Sequence, residues 1–156
     1  MRKFEEVREE FKKFPGVETK LPQRGSSKSA GYDFYSKEDF TLWPGDSHIF
    51  WTDVKAAMFF DNVLMIFARS GMGCKSGIVP RNCVGIIDAD FYNNPENNGG
   101  IGICLVNNGT KSFDVKVGDK IAQVIFVRYA IVDEDPFASS QKTGVDRVGG
   151  FGSTGR

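Results

Sequence analysis

A single all-β domain, an antiparallel barrel or jelly roll preceded by a short helix, is the fold class this sequence predicts. Three observations carry it. Helical spacing of apolar residues is confined to the first fourteen positions. Beyond Gly16 the apolar residues fall in short or alternating runs cut by turn residues, the pattern of strands. A length of 156 residues with 40% hydrophobic content leaves room for one core and no comfortable second domain.

Phe4, Val7, Phe11 and Phe14 lie on one face of a helix over residues 1–14, which Pro15-Gly16 ends. Residues 1–16 are therefore expected to form a helical extension that docks on the β-domain or a neighbouring subunit. The strand pattern then predicts strands at 17–21, 31–35, 48–52, 56–60, 64–68, 84–87, 101–107, 111–115, 121–127 and 130–132. Asp61-Asn62 and Asn108-Gly109 are turn candidates, the second with the residues a tight hairpin favours. The domain is placed at 17–140, and the Gly-rich end, 141–156, as a flexible arm.

Twenty basic and twenty acidic residues cancel, so no global field draws the chain to nucleic acid or an anionic membrane. No apolar run approaches the length of a membrane span, and the charged start lacks the apolar stretch of a signal peptide, so a cytoplasmic setting is expected. Cys74, Cys83 and Cys104 are odd in number and widely spaced, and read as buried small hydrophobes rather than a disulfide or zinc framework. His48, the single histidine, reads as structural. Gly71-Met72-Gly73-Cys74-Lys75-Ser76 lacks the adjacent Gly-Lys-Ser/Thr of a phosphate-binding loop.

The tail Arg147-Val148-Gly149-Gly150-Phe151-Gly152-Ser153-Thr154 combines permissive backbone, a ring, two hydroxyls and a guanidinium, the chemistry of a nucleotide clamp. Asp88 and Asp90 follow an apolar run, and on a regular strand both carboxylates would share a face. They are either a charged strand end entering a polar loop or a site with a base for activating water. Arg69-Ser70-Gly71 puts a cation, a hydroxyl and a permissive backbone at a strand end, an ordinary turn or a phosphate contact. Gln123, on an apolar strand, needs partners if buried.

Five segments together, Ala30-Gly31-Tyr32-Asp33-Phe34, Ala68-Arg69-Ser70-Gly71, Gly85-Ile86-Ile87-Asp88-Ala89-Asp90-Phe91, Gly118-Asp119-Lys120-Ile121-Ala122-Gln123 and the tail, stand in the order and spacing of the five motifs of the trimeric dUTP pyrophosphatases. The chain resembles that family over roughly residues 17 to 156. The resemblance implies a jelly-roll-like β-barrel and hydrolysis of dUTP to dUMP and diphosphate, which limits uracil in DNA and supplies dUMP for dTMP synthesis. It implies Asp88 as the general base that activates water, with Asn82, Ile86, Ile87 and Gly102 around the uracil. Ser70, Gly71 and Gln123 would lie at the phosphates, and Arg69 would organise acids and phosphate. Arg147, Phe151, Gly152, Ser153 and Thr154 would close over the substrate.

The resemblance also implies Mg2+ held mainly by the triphosphate, with no direct protein ligand assigned and Asp33 supporting the metal and its waters. It implies a homotrimer with sites shared between subunits. The sequence departs from the family in two places. Phe91-Tyr92 stands where a single tyrosine is common, and the stretch 93–100 lengthens the connection. Either ring could pack on the deoxyribose; Phe91 is favoured because it follows Asp90 directly and stacking needs the ring rather than a hydroxyl. The helix and the 93–100 loop leave room for a protein partner. The dCTP deaminases share the fold, but their Arg-Ser-Ser motif and accompanying glutamate are not matched.

Overall fold

The computed structural model describes residues 1–135. They form twelve strands: β1 (Lys3–Glu6), β2 (Gln23–Arg24), β3 (Tyr32–Tyr35), β4 (Phe40–Leu42), β5 (Ser47–Trp51), β6 (Val54–Ala57), β7 (Asn62–Phe67), β8 (Ile78–Pro80), β9 (Gly85–Asp88), β10 (Gly102–Asn107), β11 (Phe113–Val115) and β12 (Lys120–Arg128). Every pairing is antiparallel. The largest sheet runs β2-β3-β12-β7-β9; β5-β10-β8, β1-β6 and β4-β11 complete the wall.

Strict alternation makes the long strands. In β7 and β10 every second side chain is buried, so Leu64, Ile66, Ile103 and Leu105 enter the core while their neighbours face outward. Phe34, Phe50, Leu42, Val115 and Val124 close it from the other strands.

The expected N-terminal helix is corrected. Lys3–Glu6 is a strand, paired with β6 from Lys3↔Ala57 to Glu6↔Val54, and only a single 3₁₀ turn, Glu9–Phe11, follows. The spacing of Phe4 and Val7 suits a helix, but β6 has no other strand partner among the described residues, and covering that edge satisfies a row of backbone groups. The segment does dock on the β-domain, as anticipated. Phe4 packs edge-on to Tyr32 and Phe34, and Val7 is buried. The backbone N–H groups of Lys13 and Phe14 donate to the Asp53 carboxylate, whose own partner is the buried ammonium of Lys37.

Two expected strands are absent. Residues 17–21 carry no ladder; instead Thr19 accepts a hydrogen bond from Lys37 Nζ. Residues 130–132 form no strand either, and Ile131 and Val132 are exposed. The cysteine reading is also corrected: Cys74 and Cys83 are exposed and Cys104 is half-buried. His48 stacks on Phe40 and shares a hydrogen bond with Glu38.

Candidate functional site

The sequence-predicted site residues separate into two groups on opposite sides of β7, one along β9 and the other around β3 and β12. The first lines a cavity of about 470 Å³ between the β9 hairpin and β10. Asn82, Ile86, Ile87, Phe91 and Gly102 are all on its wall. Cys83 adopts a left-handed conformation, φ 66°, and closes a tight turn in which Val84 N–H donates to Asn82 C=O at 2.8 Å. Asn82 is thereby held at the cavity mouth. Gly102 cannot be enlarged: a Cβ there would stand 2.9 Å from the Ile49 side chain and 3.0 Å from Trp51. Among the described residues β9 is an edge strand, paired with β7 on one side only, so its outer backbone groups are open to a ligand.

Asp88 is the last residue of β9, directly after Ile86 and Ile87. Asp90 does not share its strand face. Ala89–Phe91 turns into a 3₁₀ helix, so the expectation of two carboxylates side by side on one strand is corrected. Phe91 is buried against the core and faces the cavity, whereas the Tyr92 hydroxyl donates to the Glu5 carboxylate. That bond to Glu5 is the main reason the Tyr92 hydroxyl is pushed above its ordinary pKa, with burial second.

The second group surrounds Asp33. Arg69 Nε donates to Asp33 Oδ1 at 3.1 Å and Lys120 Nζ lies 2.7 Å from Asp33 Oδ2, so both carboxylate oxygens are held by cations. Gln123 pairs with Asp33 on one side and Phe67 on the other, and its Nε2 donates to Ala68 C=O at 3.1 Å. A Cβ at Gly31 would stand 2.8 Å from Gln123 Oε1, so a side chain there would displace the Gln123 amide. Ser70 and Gly71 are exposed at the entry to a π-helical turn, Gly71–Ser76, where Gly73 N–H donates to Arg69 C=O. A second cavity, about 370 Å³, opens beside Arg69 and Lys120.

The separation follows from register. Asp88 is opposite Val63 and Gln123 is opposite Phe67. They are thus about 13 Å apart along β7 and about 10 Å across it, at about 3.3 Å per residue and 4.8 Å per strand. Arg147, Phe151, Gly152, Ser153 and Thr154 lie outside the described residues, as does the arm at 141–156. Sequence reasoning passed over Lys120 as a partner of Asp33, and Arg81, which lines the first cavity and donates to Ser47 Oγ at 2.8 Å. Each is a lone cation whose partner is distant in sequence, and no local spacing marks it.

The protein is thus an antiparallel jelly-roll-like barrel with a ligand-sized cavity at an edge hairpin. The dUTPase family profile matches residues 17–155. A deoxyuridine 5'-triphosphate nucleotidohydrolase of Lactococcus lactis is 34% identical over 92% of this chain and 93% of its own length. One from cowpox virus is 38% identical over 87% of this chain and 86% of its own. Among solved structures, the dUTPase of Streptococcus mutans superposes with a TM-score of 0.72 at 33% identity, covering 83% of this chain and 98% of that one. This chain belongs to the dUTPase family.

Proposed function

We propose that the chain hydrolyses dUTP to dUMP and diphosphate, and that the first cavity takes the deoxyuridine. The observation that carries this reading is that the cavity wall is built from Asn82, the third-motif hairpin and Gly102, in a chain of the dUTPase family. The open edge of β9 offers backbone donors and acceptors to the uracil edge. Cytosine presents the opposite pattern at N3 and C4 and leaves those groups mismatched, while the bulk of a C5 methyl excludes thymine. The Phe91 ring packs on the deoxyribose where a 2′-hydroxyl would otherwise stand.

Asp88 takes a proton from the attacking water, whose oxygen bonds to the α-phosphorus as the α–β bridging bond breaks and diphosphate leaves. Ser70 and Gln123 orient the α-phosphate oxygens, Arg69 holds Asp33 in place, and Arg147, Ser153 and Thr154 of the arm at 141–156 contact the terminal phosphates while Phe151 stacks on the base. Positioning and charge stabilisation supply most of the acceleration.

Asp88 and Gln123 cannot both reach one α-phosphate within a single chain. Their separation supports a homotrimer whose sites draw on more than one subunit, with the arm of one chain closing over a neighbour's site.

Magnesium, when bound, neutralises triphosphate charge. Among the described residues no group of three or more His, Cys, Asp or Glu side chains gathers, and Asp33 already holds two cationic side chains. A magnesium ion held by phosphate oxygens and water fits this donor set, with Asp33 meeting it through water. A structural Mg(II) ion is described in the dUTPase of phage phi11 of S. aureus.

The test is diphosphate release across dUTP, dCTP, dTTP and UTP with magnesium. Strong preference for dUTP is expected; ammonia release from dCTP would replace this reading with deamination.

A further inference from the structure

Two segments lie at the edge of what the family motifs specify. Residues 1–16 precede the region the family profile matches, and the Asn-rich stretch 93–100 lies in the connection from β9 to β10. In the structure these two segments meet, and Lys55 of β6 lies between them. Its ammonium donates to Asn93 Oδ1 at 2.7 Å and Asn98 Oδ1 at 2.9 Å, and lies 5.1 Å from the centre of the Tyr92 ring. The second segment is tied to the first by further bonds. Arg8 N–H donates to the same Asn98 oxygen at 2.9 Å, the Tyr92 hydroxyl donates to Glu5, and Glu5 is opposite Lys55 in the β1–β6 ladder.

The loop is a knot rather than a slack insertion. Asn94 is buried, its amide donating to Phe91 C=O at 2.9 Å while its Oδ1 accepts from the N–H groups of Glu96 and Asn97. Asn97 in turn donates to Gly100 C=O. Asn93 and Asn98 both take left-handed backbone, which asparagine tolerates better than most residues. Both ends of the knot, Phe91 and Gly100, are wall of the first cavity.

Lys55 is 7% exposed, and its ammonium donates to the neutral amide oxygens of Asn93 and Asn98. Burial pushes its pKa down, a cost that an apolar side chain of equal length would not carry. What the ammonium provides is convergence: it draws Asn93 and Asn98, on the two limbs of the knot, to one point.

We propose that Lys55 is a positioning residue for substrate discrimination: by clamping the 93–98 knot against strand β1 it sets the Phe91 wall of the cavity, and with it the rejection of a 2′-hydroxyl. This rests on the reading of Phe91 as the sugar platform. Lys55 touches no reacting atom and acts through the knot.

The experiment compares Lys55→Met, Lys55→Arg and Asn98→Ala with Phe91→Ala. Amide hydrogen exchange over residues 91–100 and steady-state kinetics on dUTP and UTP are measured for each. Lys55→Met is expected to speed exchange over the knot, raise KM for dUTP roughly tenfold and leave kcat within about twofold. It should also raise the ratio of UTP to dUTP use by roughly tenfold, in the same direction as Phe91→Ala. Lys55→Arg, which keeps the cation, should restore much of that discrimination. Asn98→Ala loses one limb of the clamp and stands in if Lys55→Met does not fold. Unchanged exchange and an unchanged ratio in a folded Lys55→Met or Asn98→Ala protein, beside a relaxed Phe91→Ala, would overturn the clamp. Full UTP rejection by Phe91→Ala would overturn the platform reading instead, and the exchange data would then decide whether Lys55 holds the knot at all.

Discussion

Asp88 and Gln123 flank the same strand from opposite sides and near opposite ends, Asp88 across from Val63 of β7 and Gln123 across from Phe67. With Asp88 as the proposed general base and Gln123 as the proposed α-phosphate ligand, groups so placed serve one substrate only when different chains supply them. Mixing separately inactive Asp88→Asn and Gln123→Ala proteins, after subunit exchange, should therefore restore activity. Random assembly leaves about a quarter of the sites with both native groups, given one group from each of two neighbours in a closed symmetric oligomer. Recovery near that fraction is the expected result; no recovery from demonstrably mixed oligomers would place both groups in the same chain's site.

Asp88→Asn should leave the barrel intact, because Asp88 ends β9 and asparagine keeps its size. Turnover should fall by roughly 10² to 10⁴, the contribution of a positioned general base. Binding of a non-hydrolysable dUTP analogue should persist, and calorimetry of that analogue beside single-turnover kinetics separates the two effects. Near-normal turnover would remove Asp88 from the proton transfer.

The N-terminal segment has an acid-sensitive contact. The hydrogen bond from Lys3 and then that from Tyr92 hold the Glu5 carboxyl below its ordinary value of 4.5. A carboxyl with a depressed folded-state pKa contributes stability that is fully present above 4.5 and is lost as pH falls through the lower folded value. The Tm difference between the native chain and Glu5→Gln should therefore be present at pH 6 and vanish as the solution is taken well below pH 4, values chosen to bracket that window. A difference that persists unchanged in strong acid would show that the ionised form of Glu5 does not hold β1.

Phe4 meets the rings of Tyr32, Phe34 and Phe126 while remaining only partly buried. Phe4→Ala should destabilise by about 2–3 kcal/mol, less than the roughly 3–5 kcal/mol of a fully buried ring. Urea unfolding measures it. A neutral effect would mean that β1 is an appendage rather than part of the domain.

The sequence revealed strands where alternation was strong and self-sufficient. In β7, β10 and most of β12 each buried position announces the next, and their expected bounds lie close to those observed. It misled where the deciding partner was remote. Phe4 and Val7 fit a helical period, yet the open edge of β6 made Lys3–Glu6 a strand, and nothing local encodes that edge. The strands β2, β4 and β8 are two or three residues long and owe their form to longer neighbours. At the site, the family resemblance pointed to Asn82, Ile86, Ile87, Phe91 and Gly102, and they do share one cavity. Lys55, Arg81 and Lys120 went unnoticed because a buried or paired lysine or arginine reads as surface until its distant partner is known. The division of the motifs between the two sides of β7 needed the register itself.

The family match extends to residue 155 and so takes in Arg147, Phe151, Ser153 and Thr154, which lie beyond the described residues. Four glycines between 149 and 155 raise the entropic cost of fixing this backbone, and on the proposed reading its charged, aromatic and hydroxyl groups serve the triphosphate and the base. Truncation after Asp146 should leave the barrel folded and assembled, because the described residues already form a buried hydrophobic core of their own. Hydrolysis should nevertheless fall severely, since the proposed stacking ring Phe151 and the proposed phosphate cation Arg147 are lost together. Phe151→Ala should reproduce part of the defect. The tail should also be cut more slowly by protease when a non-hydrolysable dUTP analogue and magnesium are present. Equal cleavage with and without the analogue, together with full activity of the truncated protein, would show that the tail takes no part in the reaction.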